Sequence, residues 1–334
     1  MLRKMTGLIM LLGLGVTSCR WPGVQEEQLT PGEDGSGQSV HIRLPMGYIP
    51  NIQFAPFYVA VDKGYFKEAG IEIEFDYSFE TDGVALVGAG EVPFALVSGE
   101  QVLLARAQGL PVVYAAAWFQ QYPISVVSKV TQGIRTPQDL VGKKIGLPGL
   151  FGANYVGFQA LLFSSGLKET DVALDSIGFN QVEALATDQE EAVVVYTANE
   201  PIQLRAHGYE LNEIRVADYA QLASNGILTN EMTISENPEQ VRAFVEAFLH
   251  GLADTMASPD AALETCKSYI PNFTELDPEV QKQILAASIE LWNTDHPGES
   301  DPQAWKNMQD VLLRAGLLAV ELDLSKAFTN QFIP

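Results

Sequence analysis

The chain has 334 residues, 47% of them hydrophobic, with 28 glycines and a formal net charge of −22 at pH 7. This length exceeds what one compact core usually holds, so we expect two globular lobes. The strongly acidic balance argues against nucleic acid and against an anionic membrane surface as partners.

The N-terminus has the order of residues found in a bacterial export signal. Arg3 and Lys4 precede the apolar run GLIMLLGLGV, and small residues then lead to Cys19. The run is shorter than the roughly 20 residues of a membrane-spanning helix, which favours a cleaved signal over residues 1–18. The segment VTSC resembles a lipobox. This resemblance implies cleavage before Cys19, a diacylglycerol on its thiol, and anchoring to the outer face of the cell membrane.

Residues 19–39 are rich in glycine and proline and are predicted to form a flexible tether. Beyond it, short β-rich runs such as VHIRLPMG and IEIEFDY alternate with helical patterns such as EQVLLARAQG. A second series of the same kind starts near Thr136, and the chain after Asn237 is almost wholly helical. This order predicts an α/β fold with mainly parallel sheets covered by helices.

Several segments resemble the substrate-binding proteins of ABC importers for thiamine pyrimidines, sulfonates and riboflavin. They are residues 48–51 (YIPN), 55–60 (APFYVA), 63–66 (KGYF), 68–71 (EAGI), 88–91 (GAGE) and 139–146 (DLVGKKIG). The resemblance covers nearly the whole chain beyond the tether. It implies a periplasmic-binding-protein type II fold, with lobe one at 40–127 and 228–334, lobe two at 128–227, and two hinge crossings.

Within this group, the segments PNIQFAPFYVA, SFETDG and AAAWFQQYPISVV are most similar to the riboflavin-binding members. The resemblance therefore implies a monomeric carrier that binds riboflavin or a close flavin between its lobes. Its partners would be an ABC permease and an ATPase. A smaller thiamine-precursor pyrimidine is the alternative ligand.

Ligands of open α/β sheets bind at the loops after the carboxyl ends of the strands, so those loops supply the candidate site. The first lobe contributes Asn51, Gln53, Phe54, Thr81, Ser98, Glu100, Trp118, Gln120 and Tyr122. The second contributes Phe151, Asn154, Tyr155, Asn180, Tyr196 and Asn199, and Glu80 and Glu200 stand in the same loops. Aromatic rings and amides suit a flat heteroaromatic ligand, because rings stack and amides both donate and accept hydrogen bonds.

Each of these candidates also has a structural explanation. Turn chemistry around a proline could explain Asn51, and helix capping could explain Thr81, Ser98 and Asn180. Core packing could explain Trp118. Glycines at 146, 149 and 152 would let the backbone approach a ligand at a helix start, where oxygen acceptors including phosphate are favoured. Their spacing matches neither the dinucleotide fingerprint nor the P-loop.

The alternative from another class is a pyrimidine-precursor-metabolising enzyme. The resembled fold group includes a pyrimidine synthase that binds pyridoxal phosphate, but its cysteine-rich motif has no counterpart, since Cys19 and Cys266 are the two cysteines. The four histidines are dispersed along the chain, and no serine elbow or zinc-binding helix motif stands out. We therefore predict a binding protein without catalytic residues, metal or cofactor.

Overall fold

The computed structural model describes residues 39–334. The predicted signal (1–18), the lipidated Cys19 and the tether up to residue 38 lie outside the described residues and stay predictions. None of the helices within 39–334 combines the length and apolar character that crossing a bilayer requires. Strands and helices alternate up to Asn230, and helices follow from Glu231 onward.

The strands have the bounds β1 (Val40–Gly47), β2 (Ile71–Phe79), β3 (Ala95–Val97), β4 (Val112–Ala117), β5 (Ile124–Lys129), β6 (Lys144–Leu147), β7 (Ala173–Ser176), β8 (Ala192–Tyr196), β9 (Leu211–Arg215) and β10 (Gly226–Asn230). The helices before β10 are α1 (Ala55–Asp62), α2 (Tyr65–Glu68), α3 (Glu80–Ala89), α4 (Gly99–Ala107), α5 (Gly152–Ser164), α6 (Gln181–Ala186) and α7 (Glu200–Ala206). Those after it are α8 (Glu231–Glu236), α9 (Pro238–Ala257), α10 (Pro259–Cys266), α11 (Pro278–Trp292) and α12 (Pro302–Arg314).

The sheets are mixed rather than purely parallel. β1 and β2 pair in parallel, and β10 lies between β3 and β4, antiparallel to both. The largest sheet has the order β7-β6-β8-β5-β9, in which β5 runs opposite to its neighbours β8 and β9. The prediction of an α/β fold is confirmed, and each of the two larger sheets contains one reversed strand.

The chain passes between the sheets at residues 118–123 and again at 216–225. These crossings come a few residues before the predicted boundaries at 127 and 227, because β5 pairs inside the largest sheet and all of β10 pairs with β3 and β4. We therefore propose that the second lobe comprises residues 124–215, and that the remaining described residues form the first.

Burial of whole strands explains the apolar runs in the sequence. Every residue of β4 (VVYAAA) is buried, as expected for a strand covered on both faces. Helix α9 approaches α1 so closely that a Cβ at Gly251 would lie 2.1 Å from the Pro56 carbonyl oxygen. Glycine is thus required at this helix crossing, which holds α1 and the loop before it in place.

Candidate functional site

A cleft lies at the loops that follow strands of both larger sheets, as the strand-end rule predicts. It encloses about 980 Å³ of space free of atoms, its open mouth included. The predicted residues that line it are Asn51, Gln53, Phe54, Thr81, Trp118, Phe151, Asn154, Tyr196 and Asn199. Those that lie outside the lining are Ser98, Glu100, Gln120, Tyr122, Tyr155 and Asn180.

One wall of the cleft, the buried wall, carries Phe54 and Trp118. These side chains are only 4% and 3% exposed, and their ring centroids are 5.7 Å apart. Phe57 meets Trp118 edge-on at 5.4 Å, and Trp292 lies 5.8 Å from it. Because other rings pack around them, Phe54 and Trp118 are held in position without a ligand.

The facing wall, the exposed wall, carries Phe151 and Phe179, which are 57% and 44% exposed. Phe151 directly precedes α5, and Phe179 lies between β7 and α6. Phe179 meets Tyr48 edge-on at 4.9 Å and stacks with Phe79 at 6.2 Å. Phe179 thus touches residues that follow β1 and end β2, at one side of the cleft, while much of its own surface stays open to solvent.

A chain of hydrogen bonds supports the polar floor of the cleft. The Ser98 hydroxyl donates to Glu80 Oε2 at 2.6 Å, and the Ser98 backbone N–H donates to the same oxygen at 3.2 Å. Ser98 Oγ also contacts Glu100 Oε1 at hydrogen-bonding distance. Since Ser98 has one hydroxyl hydrogen, it donates to one of the two carboxyl groups at a time, and the other contact is a hydrogen bond when that carboxyl group carries a proton.

The pKa shifts agree with this proton count. Burial, together with the negative charge of Glu80, raises the pKa of Glu100 to about 8. Burial also raises the pKa of Glu80, but the hydrogen bonds from Ser98 oppose that rise. Glu100 is therefore mostly protonated at pH 7, and the hydrogen bonds from Ser98 favour the ionised form of Glu80. Ser98 and Glu100, both fully buried, act on the cleft through Glu80.

Glu200 is a second buried carboxyl group, at the start of α7. The Tyr196 backbone N–H donates to its Oε2 at 2.9 Å, and Asn199 Nδ2 donates to its Oε1 at 3.0 Å. Burial raises the pKa of Glu200 to about 7. Burial and the charge of Glu200 also raise the pKa of Tyr48, so this hydroxyl stays protonated and can donate a hydrogen bond.

Asn225 connects the polar groups of the two walls. Tyr196 donates from its hydroxyl to Asn225 Oδ1 at 3.3 Å, and Asn225 Nδ2 donates to Glu80 Oε1 at 3.4 Å. The backbone N–H groups of Trp118 and Phe119 both donate to the Asn225 carbonyl oxygen at 3.0 Å. The position of this residue between β9 and β10 therefore affects both the ring and the polar parts of the site.

The predicted residues outside the lining have partners elsewhere. Tyr122 is buried and donates to the Ala153 carbonyl oxygen at 2.9 Å, which joins the first crossing to the start of α5. Tyr155 donates to Glu169 at 2.7 Å. Asn180 Nδ2 donates to the Ile177 carbonyl oxygen at 2.9 Å. The backbone N–H of Gln120 donates to the Leu291 carbonyl oxygen at 2.9 Å, and its side chain does not reach the lining.

Several lining residues were not among the predicted site residues. They are Tyr48, Phe79, Glu80, Gln101, Phe119, Phe179, Gln181, Glu200 and Asn225, together with small or apolar neighbours. Glu80 and Glu200 were noted in the correct loops, and Phe119 and Phe179 each adjoin a predicted residue. Asn225 lies before the start of a strand and not after its end. Because β10 runs antiparallel to β3 and β4, its start lies beside the ends of those two strands.

Metal ligands are not gathered at this cleft or elsewhere in residues 39–334. No group of three or more His, Cys, Asp or Glu side chains in that range is arranged to hold a metal ion. The polar part of the cleft consists instead of carboxyl, amide and phenol groups. Such groups recognise a ligand by hydrogen bonds.

Known proteins provide relatives over the full chain. A riboflavin-binding protein, RibY of Chloroflexus aurantiacus, is 40% identical, with 100% of this chain and 98% of that protein covered. A formylaminopyrimidine-binding protein of Halalkalibacterium halodurans is 28% identical, with coverage of 84% and 86%. A 4-amino-5-hydroxymethyl-2-methylpyrimidine phosphate synthase of Legionella pneumophila is 25% identical, with coverage of 88% and 92%.

Structural comparison finds the same fold. The periplasmic aliphatic sulphonate-binding protein SsuA of Escherichia coli superposes with a TM-score of 0.70 at 13% identity, covering 87% of this chain and 92% of that one. The sequence model of the family described as NMT1/THI5 like matches residues 51–262. The chain has the periplasmic-binding-protein fold and belongs to the NMT1/THI5-like family.

Proposed function

We propose that this protein is the solute-binding component of an ABC importer, and that it captures riboflavin or a close flavin in the cleft. The observation that carries the proposal is the pair of aromatic walls, with Phe54 and Trp118 on one and Phe151 and Phe179 on the other. A flat tricyclic ring system fits such a site, since both of its faces need aromatic or apolar contact. The 40% identity to a riboflavin-binding protein supports the same ligand.

The polar lining complements the edges of a flavin. Riboflavin has an imide edge that donates and accepts hydrogen bonds, and a ribityl chain with several hydroxyl groups. Asn51, Gln53 and Asn199 supply amides, the phenol of Tyr48 supplies a donor, and the carboxyl group of Glu80 supplies an acceptor. Few, oriented polar groups inside an apolar pocket are the usual means of setting ligand orientation.

A thiamine-precursor pyrimidine is the second candidate, supported by the relative named a formylaminopyrimidine-binding protein. One pyrimidine ring would contact only part of two aromatic walls, which favours the larger flavin. The enzyme alternative draws on the relatives named as synthases. The described lining contains no lysine, histidine or cysteine that could act as a nucleophile, which supports a carrier that returns its ligand unaltered.

Delivery requires the protein to stay near its permease. We propose that the mature chain begins at Cys19, is anchored to the outer face of the membrane by acyl chains on that residue, and acts as a monomer. Growth with labelled palmitate should label the wild-type protein but not Cys19→Ser, because the serine hydroxyl cannot form the thioether that carries the lipid. Label in Cys19→Ser, or no label in the wild type, would contradict the anchor and leave the ligand assignment untouched.

Titration of riboflavin with the purified protein tests the ligand. We expect quenched flavin fluorescence, because contact with the indole ring of Trp118 allows electron transfer to the excited flavin, and a raised melting temperature. Ligand at 100 times its dissociation constant stabilises a folded protein by about 2.7 kcal/mol. Unchanged fluorescence with no thermal shift at saturating riboflavin would rule out this ligand.

Two further measurements separate the alternatives. Formylaminopyrimidine added as a competitor should displace riboflavin only at much higher concentration if the flavin is the true ligand. Mass spectrometry of riboflavin after prolonged incubation with the protein should return the same mass as before. A new mass that grows with time, and is absent with heat-denatured protein, would favour an enzyme.

A further inference from the structure

The charged side chains that line the cleft are acidic. Glu80 and Glu200 both line it, and Glu100 lies directly behind Glu80. Within the described part of the chain, the lining residues include no lysine, arginine or histidine to neutralise these carboxyl groups. A site that binds a phosphate ester normally places cationic side chains around it.

Glu80 is the carboxyl group of this pair whose hydrogen bonds favour the ionised form. Its Oε2 accepts two hydrogen bonds from Ser98, and such donors stabilise a carboxylate. Its Oε1 accepts only the 3.4 Å hydrogen bond from Asn225. The side chain is partly exposed and lines the cleft, so Oε1 has capacity to accept an O–H or N–H of a ligand.

The start of helix α5, on the exposed wall, contributes a positive electrostatic potential to the cleft. Helix α5 begins at Gly152 without a side-chain cap, and its first residues line the cleft, so the backbone N–H groups of its first turn lie at the cleft. A helix N-terminus carries roughly half a positive charge. This is less than the full charge of one carboxylate, and Glu200 adds part of another. The net field in the cleft is therefore negative.

We propose, building on the proposed flavin ligand, that Glu80 is the specificity-determining residue that makes the cleft accept an uncharged, hydroxyl-bearing flavin and reject its phosphate ester. Its Oε1 accepts a hydrogen bond from the neutral ligand. Its charge repels the phosphate dianion in an enclosed site where water screens poorly. The importer thus selects the free vitamin over the phosphorylated flavin that cells hold as a cofactor.

The test compares riboflavin with riboflavin 5′-phosphate on the purified full chain, at one pH and one ionic strength. Both ligands carry the same fluorescent ring, so the same quenching readout serves for both. We expect the phosphate ester to bind at least about tenfold more weakly to the wild-type protein, as one unfavourable charge interaction of ordinary size predicts. Equal or tighter binding of the ester overturns the inference.

Variants then assign the effect to Glu80. Glu80→Gln keeps the shape and removes the charge, so the affinity ratio of the two ligands should shrink by about tenfold, mainly through tighter binding of the ester. Glu72→Gln removes the same charge from an exposed position on β2 and should leave the ratio unchanged. The proposed role of Glu80 is wrong if the affinity ratio of the two flavins is unchanged in Glu80→Gln. It is also wrong if the ratio falls equally in Glu72→Gln.

Ser98→Ala provides a second variant in case Glu80→Gln does not fold. It removes the hydroxyl group that stabilises the ionised form of Glu80. The preference for riboflavin over its phosphate ester should therefore decrease, as in Glu80→Gln. An unchanged ratio in folded Ser98→Ala protein also counts against the inference. Absence of riboflavin binding in the wild type would refute the proposed function itself, whereas tight binding of both flavins would refute only the selection against phosphate.

Discussion

Phe54 and Trp118 on the buried wall of the cleft pack against other rings, whereas Phe151 and Phe179 on the exposed wall face solvent over about half of their surface. The buried rings already belong to the core, so their packing contributes to folding. The exposed rings lose contact with water only when a ligand covers them, so their burial contributes to affinity. We therefore propose that the same residue type contributes to stability on one wall and to ligand binding on the other.

Truncation of the buried wall should give the largest effect. Trp118→Ala leaves a cavity beside Phe54, Phe57 and Trp292, and we expect the free energy of unfolding to fall by about 3–5 kcal/mol. Riboflavin binding should be lost as well. Denaturation in urea measures the first effect and fluorescence titration the second. Trp118→Phe is the control that keeps an aromatic ring and should lose much less stability.

A loss below about 1 kcal/mol for Trp118→Ala would contradict this view of the buried wall. It would mean that Trp118 behaves like the rings of the exposed wall. The two walls would then not differ in how they contribute to folding.

The pH dependence of stability should distinguish the carboxyl groups of the walls. Glu100, next to the buried wall, has a pKa of about 8, and Glu200, on the other wall, of about 7, against an ordinary value of 4.5. Between 4.5 and these values the folded state keeps a proton that the unfolded chain has released. Each group therefore makes stability fall as pH rises, by up to about 1.4 kcal/mol per pH unit.

Replacement of each carboxyl group by an amide removes its share of this slope. Glu100→Gln should flatten the fall in unfolding free energy between about pH 4.5 and 8, and Glu200→Gln only between about 4.5 and 7. Thermal or urea unfolding across pH 4.5–8.5 measures both. Variants whose curves keep the wild-type slope would contradict the buried, protonated state of these groups.

The smallest effect on stability should come from the exposed wall. Phe179→Ala should weaken riboflavin binding by about tenfold, in the range of one lost aromatic contact. The free energy of unfolding should stay within about 0.5 kcal/mol of the wild type. Val320→Ala truncates an exposed apolar side chain outside the cleft lining and should change neither quantity. Wild-type affinity in Phe179→Ala would show that this ring does not cover the ligand.

The fold and about half of the site can be predicted from the sequence, because both depend on local patterns. Local periodicity identifies the strands and helices, and the rule that ligands bind beyond strand ends places Asn51, Trp118 and Asn154 in the cleft. Local periodicity does not show which strands, distant in the sequence, pair with each other. The insertion of β10 between β3 and β4 brings Asn225 into the cleft, and nothing in the segment SNGILTN indicates it.

Side-chain direction is the second limit. Tyr122 and Tyr155 lie in the expected segments, but their hydroxyl groups bond to Ala153 and Glu169, away from the lining. Phe179 lines the cleft, whereas Asn180 beside it bonds to its own loop. A shift of one residue turns a side chain toward or away from the ligand, and the linear pattern does not determine which applies.

Asn225 links the two chain crossings through hydrogen bonds. Its carbonyl oxygen binds the backbone at Trp118 and Phe119, in the first crossing, while its own position lies in the second. Its amide bonds to Tyr196 on one side and Glu80 on the other. Rotation of one wall relative to the other must stretch at least one of these bonds. We therefore propose that a ligand which changes the hydrogen bonding of this amide also changes the preferred angle between the two walls, and that this angle in turn affects the affinity for the ligand.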